Sequence, residues 1–307
     1  MPARCLPRPS ARRLIHWISA LLPVFLNVGV RAADEAGLSL RLAPGDRLIA
    51  TGGVSQLEGA GGGGLVPWAL ITGYGTRNQV GGSAFLTRVD TGDFRLDSAG
   101  AAIGVADRLE LSYSIQHFDL GSTVPGETIV LESYGAKVRL LGDAVFDQDR
   151  WLPQIALGLQ YKRNRDYALV PKALGAVRGD DWEAYLAASK LWLDGPLGRS
   201  LFANLTLRAT RANQLGLLGF GGDRSDDYSI QPEVSLGLFL RDDLVLGTEY
   251  RSKPDKLSAF REDAFKDVFI AWFPAKRFSL TAAWADLGNI ADKAHQQGWY
   301  LSAQIAH

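Results

Sequence analysis

The side chains in this sequence that could do chemistry are a few histidines, two acidic loops, a glycine run and a set of charges on strand-like segments. His117, His295 and His307 are the histidines beyond the N-terminal region. His117 follows Leu109, Leu111, Tyr113 and Ile115 at a period of two, so it shares their apolar face. A histidine on the outer wall of a barrel could activate a serine for lipid hydrolysis. Its same-face neighbours are Ile115 and Asp119, so a nucleophile would have to come from another strand. An interfacial histidine is the simpler reading. Asp223, Asp226 and Asp227 stand among glycines but lack the spacing of a calcium loop. A solvated acidic loop explains them, and Asp180, Asp181 and Glu183 are read the same way. Gly59, Gly61 and Gly64 fit a dinucleotide fingerprint only formally, because residues 65–71 read as strand where that motif needs a helix. No catalytic residue, metal site or cofactor is expected, and the chain is not read as an enzyme.

Five charges say more. Lys162, Arg208, Glu233, Glu249 and Arg251 occupy the polar parity of their runs. In a barrel they would meet in the outer half of the lumen, with Lys137 and Arg139 lower. They could form a constriction that selects solutes, or an ion-pair network that fills a narrow barrel. A barrel of eight strands is filled by side chains and one of sixteen holds a channel, so twelve strands allow either.

The elements that would position these charges are long hairpins. Along residues 228–240 the even positions are apolar, and the odd ones are Ser, Gln, Glu, Ser and Gly with Phe239 the exception. A tight turn at 241–243 leads into a second alternating run, 244–251. Period two marks a strand with two unlike faces, and about ten residues is the length that crosses a bilayer in a barrel. The pattern predicts twelve strands: 65–76, 94–105, 108–118, 128–141, 152–163, 182–193, 200–211, 228–240, 244–251, 265–273, 277–286 and 298–306. Residues 84–89 form an extra short strand or the lower half of a long hairpin. Connections alternate short and long, as turns at the periplasmic side and loops outside do, which puts both ends of the barrel in the periplasm. Trp151, Trp192, Trp272 and Phe278 then fall at periplasmic ends. Tyr161, Tyr228, Tyr250, Trp284 and Trp299 fall near outer ends. Two such belts match the aromatic girdles of the membrane interfaces.

Composition agrees with this class. The 307 residues include 34 Gly and 8 Trp. Beyond residue 30 no apolar run is long enough for a membrane helix. Residues 1–32 read as a signal peptide, with Arg4, Arg8, Arg12 and Arg13 before an apolar core. The 33 basic residues include five in that segment, leaving 28 against 33 acidic ones in the mature chain. That balance argues against nucleic acid as a partner. The single Cys, Cys5, also lies there, so the mature chain has no disulfide. Residues 33–64 form a Gly-rich segment that could fold into the lumen as a plug, and residues 65–307 form the barrel.

Several strings resemble a proteobacterial domain-of-unknown-function family of outer-membrane β-barrel proteins. They are TGGVSQLEG at 51–59 with PWALI at 67–71, DRWLPQ at 149–154, RANQLGLLGFGG at 211–222 and AWFP at 271–274. The resemblance implies the fold and the location. The family has no assigned activity, so it implies no site residue. The expectation is an all-β, transmembrane, up-and-down antiparallel barrel of the bacterial outer membrane, a narrow channel for small solutes. The alternatives are a plugged structural or interaction barrel and a lipid-modifying enzyme. Expected partners are outer-membrane lipid, the barrel assembly machinery and small solutes.

Overall fold

A computed structural model describes residues 45–307; the expected signal peptide and residues 33–44 lie outside the described residues. Two short strands, β1 (Val54–Ser55) and β2 (Gly61–Gly62), pair with each other. The wall is β3 (Val80–Asp90), β4 (Arg95–Val105), β5 (Leu109–Asp119), β6 (Thr128–Leu141), β7 (Gln154–Asn164), β8 (Asp180–Trp192), β9 (Leu201–Thr210), β10 (Ser229–Arg241), β11 (Leu244–Arg251), β12 (Phe265–Ala275), β13 (Phe278–Asp286) and β14 (Gln297–Ala306). Each wall strand pairs antiparallel with its sequence neighbour. β14 returns to β3, from Trp299↔Asp90 to Ala306↔Ser83, and closes a barrel. Closure leaves no unpaired edge in the wall.

The faces are the reverse of those in a water-soluble barrel. Leu86, Leu111, Leu159, Leu205, Leu236 and Leu301 point outward, each between 44% and 54% exposed. Gln116, Ser133, Gln160, Ser189, Thr206 and Ser235 point inward and are fully buried. Exposed leucine over buried glutamine and serine is stable only with hydrocarbon outside. This is a membrane-spanning barrel of the bacterial outer membrane. Trp151, Trp192, Trp272 and Phe278 are exposed at the end with the short turns. Tyr228, Tyr250, Trp284 and Trp299 are exposed toward the other end, where Tyr161 is half-buried.

The first expected strand is misplaced. Residues 65–76 are not in the wall; the wall begins at Val80. Every residue from 65 to 75 is buried, with none of the alternation a wall strand shows between lipid and lumen. Pro67 also withholds the N–H a ladder would need. The short run at 84–89 is instead part of the full-length β3. Since one strand replaces another, the count of twelve and the direction of every later strand are unchanged. The hairpin β3–β4 turns in residues 91–94, so one outer connection is short.

The short-turn end carries its own polar anchor. Asp143 accepts the N–H groups of Val145 and Phe146, both at 2.9 Å, and receives Arg139 Nη2 at 2.9 Å. Burial alone would raise its carboxyl. The two backbone donors and Arg139 outweigh burial and hold it below the usual aspartate value. A carboxyl lowered in the fold stabilises above its unfolded pKa, about 4, and loses that contribution as pH falls through its folded value. Asp143→Ala should therefore destabilise the barrel at pH 7 by about 1–2 kcal/mol, read as a lower melting point. The difference from wild type should vanish in strong acid. A pH-independent difference would show that the charge is not what matters.

Candidate functional site: the filled lumen

Residues 45–79 run through the barrel. Their polar groups bond to inward side chains spread around the wall. Ser55 Oγ donates to Gln304 of β14 at 2.7 Å. The Leu57 carbonyl accepts from Ser98 of β4 at 2.7 Å and from Gln116 of β5 at 3.0 Å. The Pro67 carbonyl accepts from Thr206 of β9 at 2.8 Å, and the Trp68 indole N–H donates to Ser235 of β10 at 2.8 Å. The Ala69 N–H donates to Ser189 of β8 at 2.9 Å. A segment that touches opposite sides of a closed barrel lies inside it.

Glycine permits the close fit. A Cβ on Gly63 would lie 2.0 Å from the Glu249 carboxylate, and Gly59 holds φ of +96° against the β5 backbone at Tyr113. The glycine run therefore presses the segment against the wall.

Glu58, at 0% exposure, is the centre of the charge network. It receives Lys162 Nζ directly, Arg251 Nη1 at 2.8 Å, and Arg208 Nη2 at 3.8 Å. Lys162 and Arg208 each also reach Glu183 at 2.8 Å. Glu233 takes Arg208 Nε at 2.6 Å and Arg251 Nε at 3.3 Å. Three cations thus face three carboxylates, all buried, one of them supplied by the plug. Such a set is tolerable in a dry interior only because each charge has partners. Nearer the short turns, Lys137 pairs with Glu110 at 3.0 Å. The pair grips the plug backbone: Lys137 donates to the Gly61 and Trp68 carbonyls, and Glu110 accepts the Gly61 and Thr72 N–H groups.

The structure brings four of the five sequence candidates together: Lys162, Arg208, Glu233 and Arg251. Glu249 also points inward but makes no ion pair among the described residues. It accepts the Leu65 N–H and the Ser235 hydroxyl, both at 2.6 Å, so it holds the plug. Arg139 lies at the short-turn end with Asp107 and Asp143, not in the network. Sequence reasoning missed Glu58 and misread Glu183. Glu183 is not in a solvated loop; it is a buried inward residue of β8. Its parity with Tyr185 and Ala187 was the available signal.

The outer mouth is closed by residues 211–222, which turn back into the barrel. Leu215, Leu217, Leu218 and Phe220 are buried there. Their backbone is tied to the wall by Lys162 Nζ to the Leu215 carbonyl at 3.1 Å and Asn164 Nδ2 to the Leu217 carbonyl at 2.8 Å. Gln214 donates to Glu262 at 2.6 Å, and Glu262 pairs with Lys253 at 2.9 Å. Burial pushes the Glu262 carboxyl up and the Lys253 ammonium down, and the ion pair opposes both shifts. Apolar gaps beside the plug include one of about 30 Å³ at Leu57 and Leu215 and one of about 40 Å³ at Trp68 and Phe202. Each has room for about one water, but an apolar lining offers a water no partners.

The other sequence candidates sit elsewhere. Asp223 accepts from Ser258, and Asp226 from Arg178. His117 lies on the lipid face of β5, opposite Asp97 and Val130. No hydroxyl stands at either cross-strand position.

A family model described as "Protein of unknown function (DUF3034)" matches residues 51–304. No curated protein matches the chain. Among solved structures, the KdgM porin is similar at 11% identity and a TM-score of 0.46, covering 73% of this chain and 98% of its own. The outer membrane protein Omp33 of Acinetobacter baumannii is similar at 10% identity and a TM-score of 0.43, covering 74% and 97%. Outer membrane phospholipase A from Escherichia coli is similar at 8% identity and a TM-score of 0.36, covering 74% and 91%. Likenesses this distant carry nothing about what the chain binds or does.

Proposed function

The chain belongs to the family described as protein of unknown function (DUF3034), and from its own geometry we propose that it is a plugged outer-membrane barrel, closed to solutes at rest, that presents its outer loops as an interaction surface. The observation that carries this reading is Glu58. A residue of the plug supplies the charge that balances Lys162, Arg208 and Arg251 of the wall. Removing the plug would leave these three cations facing only Glu183 and Glu233, so the filled state is the electrostatically complete one.

A second reading is a narrow channel for small solutes, opened when the plug shifts. The polar contact surface favours it. Ser83, Gln116, Ser189, Asn204 and Thr206 line the wall where the plug sits. Water can replace the plug at such groups. Lipid hydrolysis has no comparable support, since among the described residues no hydroxyl stands directly across from His117, whose cross-strand partners are Asp97 and Val130.

A disulfide separates the two readings. Ser55 Oγ of the plug lies 3.3 Å from Ser83 Oγ of the wall, and the expected mature chain has no other thiol. Ser55→Cys with Ser83→Cys should be electrically silent in a planar bilayer, oxidised or reduced, as should wild type. If wild type conducts intermittently, and oxidation of the double variant abolishes this reversibly, the gated channel is correct. A steadily open wild type, unaffected by the cross-link, would end the plugged reading.

A further inference from the structure

The lipid-facing wall of β5 to β8 carries an arrangement that the lumen does not explain. Tyr113, Tyr134, Tyr161 and Trp182 are direct cross-strand partners, one per strand. Their ring centroids are 5.0, 6.3 and 5.2 Å apart. The next residues toward the outer rim alternate in charge across the strands: Glu132 faces Arg163, and Arg163 faces Asp180.

We propose that this wall binds the phosphate of an outer-leaflet lipid through Arg163 and Arg165, with the aromatic row beneath them taking the acyl chains. The acids of the row are already engaged. Glu132 accepts the Tyr113 hydroxyl at 3.1 Å, the Tyr134 hydroxyl at 3.5 Å and Arg165 Nη2, and it is only 3% exposed although it lies on the lipid-facing parity. Asp180 accepts the Tyr161 hydroxyl at 3.0 Å. The arginines are not used up. Arg163 is exposed and makes no ion pair with a described residue. The Arg165 side chain is 53% exposed, with one of its N–H groups bonded to Glu132.

A guanidinium on a lipid-facing strand loses stability as it nears hydrocarbon unless an anion meets it. The planar fork matches a phosphate in two-point contact. Position selects the source. These side chains project from the outer surface of the barrel, above rings that lie against acyl chains, where the phosphate available is a lipid headgroup.

The test is native mass spectrometry of the full mature chain in detergent. The probes are diphosphoryl lipid A, a glycolipid with the same acyl chains but no phosphate, and inorganic phosphate as competitor. Diphosphoryl lipid A should be retained one per barrel, and the phosphate-free glycolipid on the order of tenfold more weakly. Arg163→Gln should lose the same factor while keeping the gel shift of a closed barrel. It is the safer variant, because its guanidinium makes no ion pair with a described residue; Arg165→Gln also frees Glu132 and can destabilise the wall. Equal retention of the phosphate-free glycolipid, or an unchanged Arg163→Gln, would overturn the proposal. So would full competition by inorganic phosphate, or a barrel dimer without lipid on this face.

Discussion

Replacing Glu58 by alanine should loosen the plug and make the barrel leak, with a preference for anions. The variant leaves Lys162, Arg208 and Arg251 facing Glu183 and Glu233, three cations against two acids, all within a few ångströms. Breaking a buried pair by removing one partner costs about 3–5 kcal/mol, because the charge left behind is desolvated and uncompensated. For a barrel of this size that is a fall of roughly 10 °C in the temperature at which an unboiled sample stops migrating as the closed form. Water must enter to solvate the unpaired cation, and the cheapest way in is past the plug. Glu58→Gln keeps the shape of the side chain and removes the same charge, so it should match the alanine variant in selectivity and lose less stability. If Glu58→Ala melts like wild type and stays silent in a planar bilayer, the charge network does not hold the plug.

The wall was easy to read because its constraint is local. Lipid outside and polar groups inside force alternation along each strand, and Leu201, Ala203, Leu205 and Leu207 of β9 show it without reference to any other segment. The parity that sent Lys162, Arg208, Glu233, Glu249 and Arg251 inward is the same local rule. β3 escaped because its two faces are alike at the start. Gly81, Gly82, Ser83 and Ala84 give no contrast between lumen and lipid, whereas the apolar 65–71 next door looks like a strand.

Glu58 escaped for a different reason. Its partners Lys162 and Arg251 are 104 and 193 residues away in sequence, on strands that meet only because the barrel closes. No spacing along one chain encodes that meeting. The pairing within the wall shows the same limit. Glu233 and Glu249 share inward parity and lie on neighbouring strands, which suggests two acids bridged by arginine. The register instead sets Glu233 opposite Arg251, and Glu249 opposite Ser235. A shift of two residues keeps every side chain on its face and changes every partner, so parity is readable where register is not.

Deleting residues 45–76 should give a barrel that still closes but conducts steadily. The twelve wall strands and the β14–β3 seam lie entirely after this segment, so each ladder keeps its partner. The C-terminal carbonyl loses the Tyr74 N–H but keeps that of Gly82 at 2.9 Å. What changes is the lumen. Phe202, Phe269 and Phe273 lose Trp68 and its neighbours and face water, so the melting point should fall. The outer lid keeps its ties to Lys162, Asn164 and Glu262, so conductance should be small until that loop is also shortened. Charge at mid-lumen separates this variant from Glu58→Ala. Glu110 and Glu249 no longer touch a plug backbone, and with the buried Asp267 they become solvated beside Glu183 and Glu233, against Lys137, Lys162, Arg208 and Arg251. Acids outnumber bases five to four, so the plugless barrel should be nearly unselective or weakly cation-preferring, where Glu58→Ala prefers anions. Reversal potentials in a salt gradient measure both. A plugless chain that fails to insert would show that the segment is needed to build the barrel. One that inserts and stays silent would mean that the lid alone seals it, and the lid would then replace the plug as the gate.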